Sequence, residues 1–105
     1  DTFPYPGVTT SFEAILMGLP VLTMKGFNFN SRCGESILKN VKLDNFIAND
    51  SEDYIKKAKD FKNNNNFENH FGLKLREKAI NSPLFDTEKF SVDFQNLMKE
   101  IFKKI

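Results

Sequence analysis

The amino-acid sequence predicts a helix-rich α/β chain with one or two short parallel strands. Apolar residues recur at helical spacing in five separate stretches of the chain. One nearly continuous apolar run, Val21 to Met24, follows the first of these within a few residues and has the composition of a strand covered on both faces. The 105 residues are the size of one domain, which buries roughly 60 to 70% of its unfolded surface, so one shallow core is expected.

The elements follow in order. Pro4, Pro6 and Gly7 break any regular structure before position 8, and Thr9 or Thr10 then offers a side-chain oxygen suited to a helix N-cap. Phe12, Ile15, Leu16 and Leu19 share one face of this first helix, and Gly18 and Pro20 stop it after about three turns. The strand Val21 to Met24 comes next, then a loop from Lys25 to Asn30. Ser31 is placed to cap a second helix whose apolar side includes Cys33, Ile37, Leu38 and Val41. Phe46 to Ala48 reads as a short edge strand. Asp50, with Asp53 three positions on, opens a third helix in which Tyr54, Ile55, Ala58 and Phe61 share a face. Asn63 to Asn66 makes a polar turn. A fourth helix is expected from about Phe67 to Ile80, ended by Ser82 and Pro83. From Asp86 a last helix lines up Phe90, Phe94, Leu97, Met98, Ile101 and Ile105 in one stripe, which needs a covering surface, as core or as interface.

Composition narrows the function. Fifteen basic and fourteen acidic residues give a net charge of +1, so no strong field is present to hold nucleic acid or an anionic membrane. A single cysteine excludes an internal disulfide and fits a reducing compartment, which makes the cytoplasm the expected location. No run reaches the roughly 18 apolar residues of a membrane span, and the opening DTFPYPGV lacks the basic and apolar regions of a signal peptide. That opening has no methionine and resembles a strand exit into a loop. One strand cannot form a sheet alone, so either the chain packs as helices around a small sheet or its partner strands lie in further polypeptide, and the second alternative supports reading residues 1–105 as one partial domain of a longer protein.

The stretch GVTTSFE, positions 7 to 13, carries the candidate chemistry. A loop that turns into a helix start presents unpaired N–H groups and a partial positive charge, which attract phosphate oxygens. Gly7 permits close approach, and the Thr9 and Thr10 hydroxyls can donate to a diphosphate. Glu13 lies four residues past Thr9 and three past Thr10, about 5 Å along the same face, where a carboxylate can accept from the two hydroxyls of a ribose. The competing reading is structural: Thr10-Ser11-Phe12-Glu13 fits a capping box, the commoner use of this pattern, and the two roles are compatible. Arg32, at the second helix start, is placed either toward a donor phosphate or at the surface. His70 has no second histidine or cysteine spaced to share a metal and reads as a surface residue, and Cys33 reads as a small buried one. No metal site and no cofactor are expected.

Taken together, DTFPYPGVTTSFEAILMGLPVLTMKG, the following SRCGESIL and the later SPLFDTEKF resemble the C-terminal end of the O-GlcNAc transferase and SPINDLY-like family, glycosyltransferase family 41. The resemblance covers nearly the whole chain. It implies a two-domain GT-B glycosyltransferase, usually preceded by tetratricopeptide repeats, of which this chain would be the C-terminal half of the Rossmann-like donor-binding domain. It also implies an inverting, metal-independent transfer of a sugar, N-acetylglucosamine from UDP-GlcNAc above all, onto serine or threonine of a protein acceptor. Thr9 and Thr10 would then contact the diphosphate and Glu13 the ribose. Val8 departs from the family pattern of histidine or glycine, so only its backbone can contribute. The resemblance further implies that the isolated chain is inactive, because the acceptor domain and the first half of the donor domain are missing. Two other readings stay open. One is a non-catalytic helical interaction module in which Thr10 and Glu13 merely cap and the Phe-rich last helix binds a partner; in a GT-B fragment the same helix, left exposed, would instead drive self-association. The other is a different GT-B sugar-nucleotide enzyme, a fucosyltransferase or an epimerase.

Overall fold

The structure, a computed structural model, describes residues 1–63 and 70–105. The chain runs α1 (Thr9–Leu16), β1 (Thr23–Met24), a 3₁₀ turn (Phe29–Ser31), α2 (Cys33–Asn40), a second 3₁₀ turn (Asp44–Phe46), β2 (Ile47–Ala48), α3 (Ser51–Asn63), α4 (Phe71–Ile80), a third 3₁₀ turn (Pro83–Phe85) and α5 (Thr87–Lys104). The helix-rich α/β expectation holds, and the strands are shorter than the apolar run that announced them.

β1 and β2 pair in parallel, Thr23 opposite Ile47 and Met24 opposite Ala48, and the Lys25 N–H extends the ladder by donating to the Ala48 carbonyl at 3.0 Å. Parallel neighbours need a crossover, which here contains α2. Ile37, Leu38 and Val41 of that connection are buried beside Ile15 of α1, Phe46 and Ile47 at the second strand, and Leu75 and Ala79 of α4. Aromatic rings continue this core outward: Phe61 of α3 meets Phe46 edge-on at 5.5 Å and leans on Phe71 at 6.3 Å. On α3, Tyr54 and Phe61 are half-buried while Ile55 and Ala58 of the same expected face are exposed. The expected opening of α3 is realised, since the Asp53 N–H donates to the Asp50 carboxylate at 2.7 Å.

The end of α1 explains Gly18. Its N–H donates to the Ile15 carbonyl at 2.9 Å and the Leu19 N–H to the Ala14 carbonyl at 2.8 Å, the paired bonds of a Schellman motif. Gly18 takes the left-handed conformation this requires, with φ 83°. Its backbone also lies against Gly72 of α4, where a Cβ on Gly18 would come within 2.5 Å of the Gly72 carbonyl oxygen. Arg76 of α4 donates to the Leu16 carbonyl at 2.8 Å, so α4 closes over the C-terminal end of α1.

Three expectations are corrected. Ser31 does not cap α2: it is buried in its own 3₁₀ turn, where it exchanges hydrogen bonds with Asn28, the Ser31 N–H donating to Asn28 Oδ1 at 3.0 Å and the Asn28 N–H to Ser31 Oγ at 3.1 Å. The cap position of α2 falls to Arg32, which makes no side-chain cap bond. Cys33 is half-buried rather than part of the core. Of the two readings of the α5 stripe, core or interface, core is removed, because every residue of α5 is exposed, Phe90 at 67% and Phe94 at 50%, and the helix leaves the body through the turn Pro83–Phe85. The expected start of the fourth helix near Phe67, and Asn64 to Asn66 of the polar turn, lie outside the described residues.

Candidate functional site

The first seven residues form a loop folded around one carboxylate. Asp1 Oδ1 accepts from the Thr2 N–H at 2.9 Å and the Gly7 N–H at 2.8 Å, and Asp1 Oδ2 accepts from the Thr23 hydroxyl at 3.0 Å. Thr23 is buried and is the first residue of β1, so the loop is tied to that strand. The loop then delivers the chain into α1 beside an open groove of about 490 Å³ lined by Asp1, Thr2, Gly7, Thr10, Ser11, Ala14 and Val21.

At the start of α1 the cap position is Val8, whose side chain has nothing to accept with, and no side-chain cap bond is made. The first intrahelical bond is Phe12 N–H to the Val8 carbonyl, 2.9 Å, so the Thr9, Thr10 and Ser11 amides precede it. The capping box expected from Thr10 and Glu13 is therefore not formed. The helix begins two residues earlier than that motif needs, which places Thr10 at its second position and Glu13 at its fifth. Of the two readings of GVTTSFE, the one that used these side chains to seal the helix is overturned.

The expected site residues separate into two groups. Gly7 and Thr10 line the groove; Val8, Thr9 and Glu13 are exposed around the same helix start without lining it. Arg32 sits at the cap position ahead of α2 and turns onto that helix: Nη2 and Nε donate to Glu35 Oε1 at 2.7 and 3.2 Å. Glu35 is nearly buried, and the Arg32 hydrogen bond holds its carboxyl below the ordinary value; desolvation opposes this, and the charges of Arg32, Lys39 and Lys25 add to it. Its Oε2 has no hydrogen-bond partner among the described residues. His70 is exposed and precedes α4.

Ser11, Asp1 and Thr2 also line the groove and were not among the residues chosen from sequence. Ser11 follows the two threonines directly, and its hydroxyl was a visible signal. Asp1 carries no local signal, since its role arises from meeting Thr23 across 22 positions.

Across this region the sequence profile of glycosyl transferase family 41 matches residues 1–94. The chain belongs to glycosyltransferase family 41. The family match takes in every site position from Gly7 to Arg32 and ends inside α5. Curated relatives agree. The chain is 33% identical over 104 residues, 99% of its length, to a tomato (Solanum lycopersicum) protein named probable UDP-N-acetylglucosamine–peptide N-acetylglucosaminyltransferase SPINDLY, of which it covers 11%. It is 37% identical over 95 residues to the protein of that name from Eustoma exaltatum subsp. russellianum, covering 90% of this chain and 10% of the relative. The Arabidopsis thaliana protein is 30% identical over 104 residues, 99% of this chain and 11% of the relative. The chain thus spans about a tenth of the length of these family 41 relatives. Among the described residues no helix is long and apolar enough to cross a membrane.

Proposed function

We propose that this chain is the C-terminal half of a Rossmann-like donor-binding domain of GT-B architecture, part of a cytoplasmic, repeat-bearing glycosyltransferase that moves N-acetylglucosamine from UDP-GlcNAc to serine or threonine hydroxyls of proteins. The observation that carries the reading is an α-helix start free of side-chain caps, opening beside a groove lined by Gly7 and Thr10, in a chain of family 41. Amides ahead of the first intrahelical bond suit phosphate oxygens, and the partial positive charge at that end adds to the attraction.

In this reading the Thr9 and Thr10 hydroxyls and the first amides of α1 hold the diphosphate and take up the negative charge that develops on it as the sugar leaves, an electrostatic role that grows toward the transition state. Glu13, exposed one turn along, accepts from the ribose hydroxyls. Gly7 contributes space rather than an amide, because its N–H is donated to Asp1. Val8 contributes backbone alone. Arg32 reaches a donor phosphate only by leaving Glu35. The nucleotide sugar is a substrate, and the reading assigns no cofactor or metal. The acceptor protein binds elsewhere in the complete polypeptide, and this chain by itself is inactive.

The test is UDP affinity. Each lost hydrogen bond to a charged group removes about 1.5 to 3 kcal/mol, so Thr9→Val with Thr10→Val is expected to weaken UDP at least about tenfold, the equivalent of 1.4 kcal/mol. Unchanged affinity, with silent amides from Gly7 to Glu13 in an NMR titration, overturns the reading. The exposed stripe of α5 favours a second role, in which the helix pairs with another protein surface or with a second copy.

A further inference from the structure

We propose that Asp1 is a positioning residue for the donor site: its carboxylate sets the shape of the loop that forms one wall of the diphosphate groove. This rests on the donor-site reading above. The carboxylate accepts from three donors that approach from different directions. Two backbone amides, Thr2 and Gly7, converge on Oδ1 from either end of a six-residue span, which curls the loop around the side chain. The Thr23 hydroxyl converges on Oδ2 and ties that curl to a buried strand residue. The loop carries three prolines or glycines in its last four positions and makes no regular structure of its own, so this carboxylate supplies the order that a strand or helix would otherwise provide.

A second element is shaped to fit the same arrangement. Gly34, in the first turn of α2, lies so close to the Thr23–Asp1 pair that a Cβ there would fall 2.3 Å from Thr23 Oγ1 and 3.2 Å from Asp1 Oδ2. Glycine at 34 is what allows α2 to press on β1 while the hydroxyl still reaches the carboxylate. Gly34 is buried and lines no part of the groove, so it acts on the groove only through Thr23 and Asp1.

An anionic side chain beside a diphosphate needs explaining, and the three donors explain it. They draw the charge of Asp1 into bonds with the protein and leave the outer amides and hydroxyls of α1 for the ligand. Asparagine can take over this geometry, since its side-chain oxygen still accepts from Gly7 and its amide can donate to the oxygen of Thr23. The charge is dispensable and the bonding pattern is not.

The experiment uses the complete protein, with UDP as the probe in calorimetric titration and hydrogen exchange read on the peptide containing Gly7. Displacing groups that position a reactant by about 1 Å is enough for effects of up to about a hundredfold; on that scale Asp1→Ala is expected to weaken UDP tenfold or more and to speed exchange at Gly7. Asp1→Asn is expected to restore both to within about threefold, under 0.7 kcal/mol. Thr23→Val, which keeps the shape of the strand residue, and Gly34→Ala are expected to weaken UDP in the same direction with folding retained by circular dichroism. The proposal is overturned if folded Asp1→Ala or Thr23→Val binds UDP like the parent, or if Asp1→Asn is as weak as Asp1→Ala. Thr10→Val is the reference: if it leaves UDP affinity intact, the donor-site reading itself falls, and if it weakens UDP while Asp1→Ala does not, only the role of Asp1 falls.

Discussion

Replacing Gly18 by alanine tests how α1 is held. The residue sits past the end of α1 with φ 83°, and a Cβ at this position would lie 2.5 Å from the carbonyl oxygen, 2.9 Å from the carbonyl carbon and 3.0 Å from the Cα of Gly72. Two costs add. An L-residue in the left-handed conformation loses about 1 to 2 kcal/mol. Contacts this short are with backbone, which cannot rotate away, and overpacking of that kind costs about 1 to 3 kcal/mol more. The sum is about 2 to 5 kcal/mol, read as a lower urea midpoint at unchanged slope. The reciprocal change, Gly72→Ala, calibrates it. Its Cβ would meet the Gly18 oxygen at 3.2 Å and the Gly18 carbonyl carbon and Cα at an ordinary 3.9 Å, and alanine in the first turn of α4 gains up to about 1 kcal/mol of helix propensity. Gly72→Ala is therefore expected within about 1 kcal/mol of the parent. Equal losses for the two variants, or a loss below about 1 kcal/mol for Gly18→Ala, would refute the close backbone crossing of α1 and α4 and the left-handed turn together.

Other outcomes follow from the ion pairs and from α5. The Glu35 carboxyl is held below its ordinary value of 4.5, so its stabilising contribution is complete above that value and disappears as the pH falls through the lower folded value. Because the Arg32 side chain is 51% exposed, the expected contribution is about 0.5 to 1 kcal/mol. Urea midpoints measured from about pH 6 to about pH 3 should fall less steeply for Glu35→Gln than for the parent. Asp53 acts in the same direction below its ordinary 3.8, through the Asn49 amide and then Lys57, so the protection of amides in the first turn of α3, relative to their unfolded exchange rate at the same pH, should fall in acid. If α5 self-associates through its stripe, Leu97→Glu should reduce the sedimentation-derived mass of the isolated chain toward that of a monomer while leaving its helical content unchanged.

How far the sequence reveals this molecule depends on the range of each signal. Local signals were legible: the Gly18 stop of α1, the Asp50 and Asp53 opening of α3, and the short apolar Phe46 to Ala48, whose last two residues become β2. Competition among neighbouring caps was not. Asn28 and Ser31 satisfy one another before Ser31 can reach α2, and the backbone turns helical at Thr9 before Thr10 can act as a cap. Both errors come from motifs that match one register while the chain adopts another. At the candidate site, Gly7 and Thr10 were legible as a loop entering a helix, whereas Asp1 was hidden because its partner is a strand residue far along the chain. The α5 stripe was read as a surface in need of cover, and nothing in its periodicity distinguishes cover from within from cover by another surface; the structure leaves it exposed.

The brevity of β1 and β2 has an experimental consequence. Far-ultraviolet ellipticity and infrared amide bands weight residues by number, so this chain should give the signature of an all-α protein even though its connectivity is parallel α/β. Spectroscopic screening would group it with helical bundles. Through-space proton contacts between the Thr23–Met24 and Ile47–Ala48 backbones are the measurement that reveals its true architecture.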